Sequence, residues 1–140
     1  MRSTKFVFVM GVVLLISSTA IVSAVLAAPT GNDPCKVLTA EKFSQIMGYT
    51  ATIDKTASTQ MSCFYQGPGH SGGQFMILTE TASGPQAEAM LNRKGSTPPA
   101  GSGLIGGSYK QAAIIFSVSI RSADQSKSEA LVTEIKHNLK

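Results

Sequence analysis

The sequence predicts one α+β domain behind a leader, with a single antiparallel sheet of four to five strands and helices packed on one face, in the order α-β-β-β-α-(β)-β-α. Three observations point to that class. Runs rich in Thr, Ile, Tyr and Phe alternate with Gly- and Pro-rich punctuation, the pattern of strands joined by turns. Capped segments with helical apolar spacing flank those runs and interrupt them once, as in sheets covered by helices. The Pro/Gly stretches are too short to mark a second domain, and no internal repeat is evident.

Residues 1–27 read as an export signal. Arg2 and Lys5 lead into an apolar run over 6–16, and the small residues Val25 and Ala27 suit positions −3 and −1 of a cut after Ala27. The competing reading is an uncleaved anchor, since 6–28 is long enough to cross a bilayer, diluted only by Ser17, Ser18, Thr19 and Ser23. A lipoprotein needs cysteine directly after the small-residue box, where this chain has Ala28. The expected location is therefore periplasmic or secreted, with the domain spanning 28–140.

Arg2 and Lys5 are the basic residues of the leader, so its removal lowers the formal charge from +4 to +2. The remaining Lys and Arg are dispersed and form no basic stripe interleaved with aromatics, which argues against nucleic acid. Cys35 and Cys63 are the two cysteines of the chain. In an oxidising compartment an even count in a small domain predicts a bridge, stabilising by about 3 to 4 kcal/mol through loop closure.

Along the domain, Thr39 reads as an N-cap, with Glu41 in the first turn, Leu38 and Phe43 as a hydrophobic staple, and Gly48 as the C-terminal stop. Residues 49–56, 61–66 and 74–81 read as three strands in a meander, with the glycine-rich turn 67–73 before the third. Ser83, Gly84 and Pro85 open a second helix running to about Lys94 and ended by Gly95. Pro98, Pro99 and four glycines make the following stretch a loop, with a short extended piece at Leu104 and Ile105. Residues 112–120 form the strongest strand, nearly continuously apolar and therefore central or buried on both faces. Ser126 and Glu129 match a capping box, and Leu131, Ile135 and Leu139 give an amphipathic last helix.

Chemical motifs are sparse. Residues 69–73 match G-x-S-x-G, with Asp124 and His137 following in the order of α/β-hydrolases, but a nucleophile elbow needs a helix leaving the serine and here a strand leaves. Residues 101–106 match G-x-G-x-x-G, yet they precede a strand where a phosphate cradle needs a helix N-terminus. His70 and His137 flank no acidic cluster, so no metal and no cofactor are expected. The candidate binding elements are the 67–73 turn, with His70 and Ser71, and the loop 95–109, with Leu104, Ile105 and Tyr109, because long glycine loops on rigid scaffolds carry contacts.

Asp33-Pro34-Cys35, the Leu38-Thr39 helix start and Cys63-Phe64-Tyr65 resemble a family of small exported bacterial domains, often lipoproteins, known as domain of unknown function 3558. The segment 103–109 is similar to that family's Gly-Leu-Gly stretch, and the closing amphipathic helix matches too. The chain departs from many members in lacking the lipobox cysteine and in having Tyr65 where tryptophan is common. The resemblance implies a cell-envelope domain held by Cys35 and Cys63, and it carries over no catalytic residue. The expected function is a non-enzymatic binding module whose partner is an envelope protein or a small ligand. An inhibitor or immunity-type protein against a secreted enzyme is the second expectation, and a serine hydrolase using Ser71 and His137 is the rival class.

Overall fold

Local sequence chemistry sets the first elements of the computed structural model, which describes residues 31–92 and 97–140. The leader assigned to residues 1–27, the Ala28 junction and the Gly95 helix stop lie outside the described residues. Helix α1 (Pro34–Val37) is a single turn, too short for the sequence to show a helical period. Asp33 caps it by accepting the Cys35 N–H at 3.0 Å, and Pro34 occupies the first turn, where its missing N–H costs nothing. Helix α2 (Ala40–Met47) starts and stops as expected: Thr39 accepts the Lys42 N–H, and Gly48 ends the helix at φ 78°. Lys127 reinforces that end by donating to the Met47 carbonyl at 2.6 Å.

Five strands follow in one antiparallel sheet ordered β1-β2-β3-β5-β4: β1 (Thr52–Ile53), β2 (Ser62–Gln66), β3 (Gly72–Thr79), β4 (Leu104–Gln111) and β5 (Ile114–Arg121). The expected meander is β1-β2-β3, although β1 is shorter than the 49–56 run. Asp54 stops it by turning the chain, its carboxylate accepting the N–H groups of Thr56 and Ala57.

The extended piece expected at Leu104 and Ile105 is in fact an eight-residue strand, so Leu104, Ile105 and Tyr109 belong to β4 and not to a loop. The ladder offered by β5 overrides the poor strand propensity of Gly106 and Gly107. The strand expected over 112–120 begins two residues later, because Ala112, at φ 51°, and Ala113 form the β4–β5 hairpin turn. As expected of a central strand, β5 lies between β3 and β4, with Ile114, Ile115 and Phe116 all buried.

Helix α4 (Gln125–Asn138) buries Leu131, Val132 and Ile135. Its cap is Asp124, which accepts the Ser126 N–H at 3.0 Å, and not the Ser126 capping box expected from the sequence. Strand β5 ends at Arg121, close enough for Asp124 to start the helix, which leaves Ser126 already inside it.

The main core lies between the sheet and the helices α2 and α4, where Phe43 stacks on Tyr65 at 4.2 Å and Phe75 meets Phe116 edge-on at 5.8 Å. The Tyr65 hydroxyl donates to the Leu38 carbonyl inside this core. Helix α3 (Gly84–Leu91) departs from the one-face arrangement. Its Ala87, Met90 and Leu91 cover Leu78 and Ile115, and strand alternation turns Ile115 away from its core-facing neighbours Ile114 and Phe116. That apolar spot on the second face is what α3 buries.

The Cys35–Cys63 disulfide is formed, with Cα atoms 5.1 Å apart, joining α1 to β2. At the far end of β3, Glu80 accepts the backbone N–H groups of Gly31 and Asn32 and the Asn32 side chain. Asn32 in turn bonds the backbone of Lys140, so the two ends of the described domain are fastened at one place.

Candidate functional site

The 67–71 turn is built by three short-range bonds between β2 and β3. The Gly67 N–H donates to the Ser71 carbonyl at 3.0 Å, the Ser71 N–H to the Pro68 carbonyl at 3.2 Å, and the Ser71 hydroxyl to that same carbonyl at 2.6 Å. Gly69 takes φ 63° at the turn centre, leaving His70 exposed at the tip. Gly67 has no room for a side chain: a Cβ there would stand 2.3 Å from the Tyr49 ring and 2.5 Å from the Ser71 hydroxyl. The turn therefore rests directly on Tyr49. The Tyr49 hydroxyl oxygen is buried with no well-formed hydrogen bond among the described residues, and burial pushes its pKa up, opposed by a weak interaction with the neighbouring Ser71 hydroxyl.

Strand register gathers two of the sequence-derived candidates at this end of the sheet. Gly73 of β3 pairs with Ile120, Ile120 pairs with Ile105, and Arg121 pairs with Leu104. The turn carrying His70 and Ser71 and the strand start carrying Leu104 and Ile105 thus flank the end of β5. Tyr109 lies near the opposite end of the sheet, where its ring sits 5.7 Å from Phe116 and packs on the core. Between the turn and β5 is a cleft of about 580 Å³ lined by Gln66, Gly67, Gly69, His70, Ser71 and Arg121.

Arg121 is the residue that sequence reading missed. As a lone charge in a dispersed basic set it carried no local signal, and only the strand register brings it beside the turn. Its guanidinium passes over Gly103, where an added Cβ would lie 3.6 Å from Nη1. Gln66 turns its amide to Asp54 at 2.6 Å, and Asp54 is also held by Thr56 and Ala57, bonds that lower its pKa.

The hydrolase constellation is not assembled. Ser71 gives its hydroxyl hydrogen to a backbone carbonyl, Asp124 accepts from Ser126 at the α4 cap, and His137 pairs with Asn138 at 3.1 Å. The 101–106 glycine pattern runs straight into β4, so no helix N-terminus follows it. Among the described residues, no three His, Cys, Asp or Glu side chains are grouped to hold a metal ion, and no helix is long and apolar enough to cross a membrane.

A second cleft, of about 500 Å³, lies by α1 and the end of α4. It mixes Lys36, Lys42 and Lys140 with Asp33 and Glu134, so its charges oppose one another. No protein-family model, curated protein or solved structure matches the chain.

Proposed function

We propose that the protein is an exported binding module of the cell envelope, without catalytic chemistry of its own, which engages its partner through the sheet end formed by the 67–71 turn, Arg121 and the start of β4. The observation that carries this reading is one cleft in which the glycine-rich 67–71 turn meets Arg121 of β5, remote in sequence, with the start of β4 paired to Arg121 beside it. Export is supported by the leader-like character of residues 1–27 and by the disulfide, which suits an oxidising compartment. The resemblance to domain of unknown function 3558 favours the same setting.

The test compares capture of envelope proteins by the wild type, by His70→Glu at the turn tip, and by Lys110→Glu at the other sheet end. The reading expects one stoichiometric partner, kept by Lys110→Glu and lost by His70→Glu. Retention by both variants, or no partner at all, overturns it. If the partner is an enzyme silenced in an equimolar mixture, the module acts as an inhibitor.

A further inference from the structure

We infer that the cleft between the 67–71 turn and Arg121 is a subsite for a small oxyanion, a carboxylate or phosphate group carried by the ligand. The assignment rests on the proposed contact surface and names the chemistry that it recognises. The residues that would supply its donors line the cleft from two elements. Arg121 contributes a planar fork suited to paired oxygens, and His70 contributes an imidazole from the turn tip. The N–H groups of Gly69 and His70, at the centre of the turn, have no intramolecular acceptor among the described residues. Successive amides of this kind form a concave donor surface for anions.

The acceptor side of the cleft is correspondingly poor. Among the described residues no carboxylate lines it, and Asp54, reached through Gln66, is occupied by Thr56, Ala57 and the Gln66 amide. Among the described residues the one ion pair is Lys36 with Asp33, so Arg121 has no internal counter-charge. The cleft by α1 provides the contrast, since it holds more lysines but carries its own carboxylates among them.

The backbone that carries the donors is also held in place before any ligand arrives. Gly67 lies against Tyr49 with no space between, Ser71 closes the turn twice over, and pairing with Leu104 of β4 fixes the Arg121 backbone. The backbone part of the ordering cost is thereby met in advance, and the exposed Arg121 and His70 side chains are what binding would order.

The experiment titrates the ¹⁵N-labelled protein with inorganic phosphate and, separately, with acetate at constant ionic strength. Saturable shifts are expected at the Gly69 and His70 amides and the Arg121 side chain with at least one probe, and the tighter of the two identifies the oxyanion class. Arg121→Gln should weaken binding by about tenfold or more. Arg121→Lys should fall between, because an ammonium keeps the charge and loses the fork. Lys110→Gln removes the same charge at the other sheet end and should change affinity less than about twofold.

Linear, unsaturable shifts with both probes overturn the assignment, as does equal weakening by Arg121→Gln and Lys110→Gln. If neither probe saturates while His70→Glu still abolishes partner capture, the oxyanion subsite fails and the contact surface stands. If capture also survives His70→Glu, both fall.

Discussion

Replacing Cys35 and Cys63 together by alanine should remove a large share of the stability of this fold. The bridge spans 28 residues, for which the loop-closure relation gives about 3.6 kcal/mol at 25 °C. Small domains have roughly 5 to 15 kcal/mol in total, so the fold should persist but melt about 15 °C lower. Cys63 is fully buried, and the void left by its sulfur adds to the cost. The loss should also be uneven. Helix α1 has only four residues, too few to stand alone, and it depends on the bridge, the Asp33 cap and the rigid Pro34. Urea unfolding followed by circular dichroism measures the total, and amide exchange measures its distribution. Reduction of the wild type should reproduce the alanine pair, with exchange rising first over residues 35–38. A stability change below about 1 kcal/mol, or unchanged protection of α1, would refute the view that the staple holds this corner together.

Two further outcomes follow from the core and the hairpin. Burial, reinforced by the Asp33 charge, raises the Tyr65 pKa, and burial also raises that of Tyr49. A tyrosine protonated more tightly when folded stabilises fully below its unfolded pKa of about 10 and loses that contribution as pH climbs towards the folded value. Unfolding free energy should therefore decline above about pH 10. Tyr65→Phe should shallow that decline while costing about 1 to 2 kcal/mol at neutral pH, because the buried Leu38 carbonyl loses its donor. A pH series of urea melts with tyrosinate absorbance checks both, and a decline equally steep in the variant would exclude Tyr65 as its source. Ala112→Gly should raise the melting temperature, since it relieves a left-handed alanine costing roughly 1 to 2 kcal/mol against about 0.5 to 1 for the freer unfolded glycine. A lower melting temperature would contradict that balance.

The elements legible in the sequence are those whose causes are local. Thr39 and Gly48 bracket α2 through bonds within a few residues, and the apolar run of β5 needs no partner to reveal its burial. What escaped depended on distant neighbours. Gly106 and Gly107 are extended because β5 lies beside them, and Ala112 turns the chain without the Asn-Gly or Gly-x chemistry of ordinary hairpins. Between two acceptable caps, Asp124 prevailed over Ser126 because β5 ends near it. Helix α1 did carry a local signal, the Asp33-Pro34 pair, but its single turn offered no periodicity. At the candidate site, His70 and Ser71 were visible as a glycine-rich turn, whereas Arg121 became relevant only through pairing across the sheet.

The fastening of Asn32 to Glu80 and Lys140 gives the domain a polarity. Glu80 follows β3 and the cleft precedes it, so the strand separates the two by roughly 25 Å. Gly31 and Lys140 therefore lie at the pole opposite the His70 tip. A label joined at Lys140 would leave the end that carries the cleft uncovered.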